Sequence, residues 1–358
     1  MEPDPTLNAP EAEPNVAPLR PLPRSLEVGI AITALLWLTA ASAAAHIVSH
    51  LAAYSSALYL LRFLLGNVTF LLLVIFGYAT LRRMAFRDGR PGDVLLLPLR
   101  STWKREVGIG LLVGWSVLLL AVLGMVLARD LSPTFWWGSR AWVLACISLL
   151  SLAVGCAARE MAFRGFVLAH LERAFGPVAA SLLVSLLFAL LVWLRPEAHF
   201  GAFAAALLAS LLLSMAYFRT HALWISSALS FAWSAACAVV FGLPLAGSVE
   251  SSSVVMSTTR GSIAVTGGLF GPAGAWTTAL GFAVALPVVY SLTRDVAWRY
   301  TLPQIVGAGY PVTVQPPAAH TAMEQQAPAP LVQILGSTPS APSTMAAVND
   351  HLRSEETD

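Results

Sequence analysis

Charge is what this chain of 358 residues has least of: Asp, Glu, Lys and Arg make up 11% of it, where a soluble domain carries about a quarter. There is a single lysine, Lys104, and the formal net charge is only +2. That balance excludes the basic surface a nucleic-acid-binding protein needs, so no nucleic-acid partner is expected. Cysteine is scarce as well. Cys146, Cys156 and Cys237 all fall in apolar segments, where a small hydrophobic role is the ordinary one, so neither a disulfide framework nor a zinc knuckle is expected. The opening "MEPDPTLNAPEAEPNVAPLRPLPR" lacks the basic start of a signal peptide.

Apolar residues are what the chain has instead, at 57% with a mean hydropathy of +0.72. One protein core cannot absorb that surplus, and lipid can. Eight apolar segments stand out, at 27–48, 57–81, 106–128, 140–158, 177–194, 200–217, 222–243 and 274–292. Each approaches the ~20 residues a helix needs to cross the hydrocarbon. All are expected to be helices, because an isolated strand in lipid leaves its backbone unpaired. The fold class is therefore all-α, a polytopic bundle of about eight transmembrane helices over 27–292. Residues 1–26 and 303–358 are rich in Pro with Ala, Ser or acidic residues, lack an apolar period, and are expected to be disordered tails.

The few cations set an orientation. With the N-terminus inside, sixteen of the 21 Lys and Arg residues fall on the cytoplasmic side, leaving Arg62, Arg129, Arg140, Arg195 and Arg260 outside. Both termini are expected in the cytoplasm, and the cytoplasmic membrane is the expected location. "DVLLLPLRSTWKRE" suits either a segment lying at the headgroups or a solvated loop. Small residues crowd segments six and seven, which lets helices approach closely.

The exception to the shortage of charge is "REMAFRG" at 159–165. On a helix Glu160 and Arg164 share a face, the acid on the favourable N-terminal side. Ionisable groups at membrane depth cost ~3 kcal/mol or more each unless paired, so this cluster is either a site or an interfacial ion pair closing a helix.

"REMAFRGFVLAHLERAFGP", followed by "SLLFALLVWL", "LLSMAYFRTHALWISSALSFAWSAACAVVFGLPLAGS" and "TGGLFGPAGAW", resembles the CPBP family, the CAAX-protease and bacteriocin-processing (Abi) intramembrane metalloproteases, across about 106–292. The resemblance implies an eight-helix fold with a cytoplasm-facing site. It also implies hydrolysis of a peptide bond by a glutamate-activated water, with a histidine from Phe-x-x-x-His and a later His-x-x-x-Asn pair that stabilises the oxyanion or helps hold a metal. Here the motif's second glutamate and its arginine are Glu160 and Arg164. The first glutamate corresponds to Arg159, the histidine to Val192, and the late pair to Ser230 and Ser234.

Each change removes chemistry. Arg159 has no lone pair to offer a water and stays protonated. Val192 neither moves a proton nor binds a metal. Serine is a poor zinc ligand without imidazole or thiolate neighbours. The motif's formal sum turns from −1 to +1, which repels a divalent cation. A degenerate, non-catalytic family member is expected: a membrane scaffold, or a binder of a hydrophobic or prenylated peptide or of another membrane protein, with no cofactor. The alternative is an active CAAX-type metalloendopeptidase with Glu160 as base, which would need zinc. A transporter reading is weaker, since duplicated halves are missing.

Other candidates are less pointed. His46 and His50 have the spacing of a metal pair but no carboxylate beside them. His170, His199 and His221 sit at segment ends, where solvated or snorkelling side chains are expected. Ser226, Ser230 and Ser234 form a stripe that suits helix packing more than a nucleophile lacking a base. Trp193, Trp224 and Trp233 should divide between interface anchoring and packing. "TGGLFGPAGAW" reads as a tight loop before the last helix.

Overall fold

The computed structural model describes residues 22–86, 97–247 and 254–300. Helices stand at all eight expected places: α1 Arg24–Ala53, α2 Arg62–Phe86, α3 Trp103–Leu127, α4 Ser139–Glu160, α6 Pro177–Trp193, α7 Phe200–Thr220, α8 Trp224–Ala235 and α10 Trp276–Leu292. Short helices α5 Leu168–Phe175, α9 Ile263–Thr266 and α11 Arg294–Tyr300 complete the set. Five helical stretches are long and apolar enough to cross a bilayer; Pro177–Trp193, Trp224–Val240 and Trp276–Leu292 are shorter apolar helices. The architecture is an all-α membrane bundle. Large apolar side chains such as Leu36, Leu72, Leu112 and Leu123 stay exposed on helix faces, as lipid-facing residues do.

Several boundaries move. The fourth segment does not stop at 158. Its helix runs through the charged motif as a π-helical stretch, Met161–Val167, and then α5, so the span Ser139–Phe175 has 37 residues. It ends at Gly176, whose φ of +84° suits glycine, with Pro177 opening α6. The first helix begins at Arg24, inside the expected tail, and the rest of both tails (1–21 and 303–358) lies outside the described residues. Of the basic loop, Leu97–Arg100 is irregular and α3 starts at Trp103; the residues before Leu97 are not described. Helices are also not the whole story. Strands β1 Leu131–Phe135 and β2 Val255–Thr259 pair antiparallel, Leu131 opposite Thr259, at one end of the bundle. Sitting at the helix ends, this ribbon escapes the cost of unpaired backbone in hydrocarbon.

Small residues set the helix contacts. α3 and α8 run parallel, and Cβ atoms on Gly110 and Gly114 would come within 2.5 Å of the carbonyl oxygens of Ile225 and Leu229. Only glycine permits that approach. α1 and α2 are antiparallel, with the Trp37 indole over Gly77 and its Nε1 donating to the Leu73 carbonyl at 2.8 Å. One apolar core gathers α3, α7, α8 and α10 around Leu118, Met125, Leu212, Ile225 and Phe282; a second gathers α1, α2, the π stretch and α6 around Val74, Tyr78, Met161 and Val184.

The helix directions give the bundle two ends. Arg24, Arg82, Arg83, Arg100, Lys104, Arg105, Arg173, Arg219 and Arg294 lie at helix termini of one, the basic end. The other, the hairpin end, holds β1, β2 and the turns 267–274, where Gly267, Gly268 and Gly271 all have positive φ. At the basic end Arg100 grips the fully buried Glu106 with two bonds, 2.9 and 2.7 Å, and donates to the Thr220 carbonyl at the close of α7.

Candidate functional site

The charged motif lies where α4 changes its winding. A π stretch carries i to i+5 bonding in place of i to i+4 and is frequent at functional positions. Glu160 is the last α-helical residue, and Arg164 sits inside the π stretch. Both are almost fully buried, at 3% and 1% exposure. Arg164 Nη1 donates to Glu160 Oε1 at 3.2 Å, Nη2 donates to Ser210 Oγ on α7 at 2.9 Å, and the guanidinium lies 5.5 Å from the Phe188 ring on α6. Ser230 Oγ on α8 donates to the same Glu160 Oε1 at 2.8 Å. The other oxygen, Glu160 Oε2, is buried without a hydrogen-bond partner, as is Arg164 Nε.

Beside this pair Arg159 is exposed, and its Nη2 lies 3.1 Å from Cys156 Sγ, one turn back toward the start of α4. Side chains on a helix lean toward its N-terminus, so Arg159 points to the hairpin end. Cys156 in turn donates to Ser234 Oγ at 3.7 Å. Cys156 and Cys237 are buried and Cys146 is exposed, all as free thiols.

A cavity of about 350 Å³ adjoins these groups, and Arg159, Glu160, Val192, Ser230 and Ser234 all line it. Arg164 stands behind Glu160. Three turns of sequence on three helices are thus brought to one wall. The lining continues past Arg195 to Ala246, Phe270 and Ala273, all at the hairpin end. A second cavity, of about 830 Å³, lies between the α1–α2 pair and α6; α6 packs mainly on α5 and α7, and α1 and α2 on each other, α4 and α5. Arg159, Phe188, Val192 and Arg195 line both cavities. The Arg195 head is exposed beyond the end of α6, yet the atoms crowding it, and then the Arg159 charge, lower its pKa. A guanidinium still remains protonated.

The cavity thus reaches from the middle of the bundle toward the hairpin end, away from the basic end.

The donor set does not fit a zinc ion. One carboxylate, two hydroxyls and two guanidiniums surround the cavity, with no imidazole or thiolate aimed into the wall around Glu160. Among the described residues no group of three or more His, Cys, Asp and Glu side chains could hold a metal ion. His46 and His50 stand edge to face, 4.4 Å between ring centroids, and His46 lines the second cavity.

The remaining candidates sort by contact. His170 is not solvated: it is buried against Glu27 of α1, tying α5 to the first helix. His199 is partly buried and reaches the Gly267 carbonyl at 3.3 Å, while His221 is exposed and closes α7 in a left-handed conformation. Ser226 bonds the Leu223 carbonyl. Trp233 is buried against Phe282, Trp224 donates to the Pro98 carbonyl, and Trp193 is exposed beside Phe203. Sequence reasoning missed Arg195, Cys156 and Ser210. An arginine directly after an apolar segment was the available signal for the first; nothing local marked the other two.

Residues 139–236 match the family model described as Rce1-like, type II CAAX prenyl endopeptidase Rce1-like. The match covers α4 through the start of the second π stretch, Ala236–Val240, and so includes Arg159, Glu160, Arg164, Val192, Arg195, Ser230 and Ser234. No curated protein and no solved structure matches the chain.

Proposed function

We propose that this integral membrane protein, whose residues 139–236 match the Rce1-like family model, is a pseudoprotease: it keeps the cavity of an intramembrane endopeptidase and uses it to hold a ligand. It acts as a membrane scaffold or a binder of a hydrophobic or prenylated peptide, with the bilayer as its solvent and both termini in the cytoplasm. The observation that carries this reading is the state of Glu160. Its Oε1 accepts from Arg164 and Ser230, a second guanidinium stands next to it, and Val192 occupies the wall where a proton-transferring imidazole belongs. A carboxylate oxygen so held is committed to a guanidinium and a hydroxyl, and the wall offers it no imidazole to pass a proton to.

One observation favours the alternative, an active CAAX-type endopeptidase. Glu160 Oε2 has no partner and could accept a water proton. The two readings separate on restoration. The variant Arg159→Glu, Val192→His, Ser230→His, Ser234→Asn should gain zinc and cleave a farnesylated peptide that the unmodified protein leaves intact. Equal cleavage by both proteins would overturn the pseudoprotease reading.

A further inference from the structure

We propose that Arg159 and Arg195 form a head-group site for a net-anionic, phosphate-bearing lipid of the bilayer, whose hydrocarbon chain lies in the larger cavity between the α1–α2 pair and α6. The proposal rests on the pseudoprotease reading, because it treats the cavity as a place of binding without reaction.

The charges come first. Arg159, Arg164 and Arg195 face one carboxylate, Glu160, and Arg164 is already bonded to it. Two positive charges remain. Among the described residues no carboxylate lies within ion-pairing distance of Arg159 or Arg195; the neighbour Arg159 does have is the Cys156 sulfur. Arg159 follows twenty residues of an apolar helix and is exposed there, a costly position for a cation without an anion. A phosphate offers several oxygens to two guanidinium forks at once, the geometry in which arginine binds most strongly.

The walls come second. Both arginines line both cavities, so a head group between them has largely apolar space on either side, with Thr39, Ser42, His46, Ser49 and Asn67 as the polar part of the larger one. The 830 Å³ cavity falls in the range of small-molecule sites, and its walls include Leu35, Leu38, Phe63, Phe70 and Leu191. Its walls come from two groups of helices that pack mainly on other neighbours, and the hydrocarbon chain enters between them. A soluble anion would have no use for that cleft. Arg159 leans toward the hairpin end and Arg195 sits there, so the head lies at that end and the tail runs toward the bundle's middle.

The test uses the full-length protein in a neutral maltoside detergent. Binding stoichiometry and affinity are measured for dioleoylphosphatidic acid, dioleoylphosphatidylcholine, oleate and inorganic phosphate. Phosphatidic acid should bind one per protein, at least about tenfold more tightly than the net-neutral phosphatidylcholine. Arg159→Gln and Arg195→Gln should each weaken it about tenfold or more, and Ala43→Phe, which fills the larger cavity, should weaken it without touching a charge. Arg105→Gln, at the basic end, should change nothing. Arg159→Lys keeps the charge and should retain part of the affinity, and Arg195, outside the helices, carries the test if Arg159→Gln fails to fold. Equal binding of the two phospholipids, tighter binding of oleate, equal binding of inorganic phosphate alone, or an equal loss with Arg105→Gln would each overturn the proposal. None of these results depends on whether the protein cleaves a peptide, so the failure of one reading is distinguishable from failure of the other.

Discussion

Replacing Glu160 with Gln should destabilise the bundle, and the size of the loss distinguishes a structural carboxylate from a catalytic one. In the native chain Arg164 is 1% exposed and its charge is balanced by Glu160 at 3.2 Å. Removing one partner of a buried pair costs roughly 3–5 kcal/mol, because the other charge is left uncompensated. Two contacts reduce that here. Ser210 still accepts from Nη2 at 2.9 Å, and a Gln oxygen can still accept from Nη1. The expected loss is therefore near the lower limit, about 3 kcal/mol. Arg164→Met should cost a similar amount by leaving Glu160 charged, whereas Glu160→Gln with Arg164→Met should cost clearly less than the two single losses combined. Unfolding in mixed micelles of increasing sodium dodecyl sulfate gives these differences. If Glu160→Gln were as stable as the unaltered chain, the carboxylate would not be holding Arg164 in place, and the argument that it is committed to structure would fail.

Other perturbations test the frame around the site. Gly114→Leu should prevent α3 from seating on α8, seen as loss of the monodisperse folded species on size exclusion, because even a Cβ there meets the Leu229 carbonyl at 2.5 Å. Arg100→Ala should cost about 3 kcal/mol in the same micelle titration, since it takes the cation from Glu106, which is fully buried at the basic end and keeps the Thr102 hydroxyl at 2.7 Å. Gly267→Ala should lower thermal stability through both a φ of +74° and a Cβ 1.8 Å from the Gly271 carbonyl oxygen. Ser230→Ala removes a bond to Glu160 and should cost about 1 kcal/mol.

Particular residues show how far the sequence could be read. The eight helices were legible because lipid leaves so few alternatives: an apolar run of the right length has to satisfy its own backbone. Arg159, Val192, Ser230 and Ser234 were legible as neighbours only through the resemblance, since nothing in their spacing says that α4, α6 and α8 meet. The π stretch was hidden because it changes winding without changing composition; "MAFRGFV" is a good helix sequence under either pattern. The β1–β2 ribbon was hidden because Leu131–Phe135 contains Pro133, its partner lies more than a hundred residues away, and neither strand alternates cleanly. His170 was misplaced for a different reason. Its position near a segment end suggested solvent, but α5 continues the fourth helix alongside α1 and buries it against Glu27. The larger cavity follows from how α1 and α2 stand apart from α6, a tertiary fact with no local trace.

The central claim is that the wall around Glu160 lacks the means to break an amide bond. The direct measurement is turnover of a farnesylated peptide by the purified, zinc-supplied protein in nanodiscs, with Glu160→Gln alongside. Both proteins should give the same background rate; cleavage by the unaltered chain that Glu160→Gln abolishes would contradict the account.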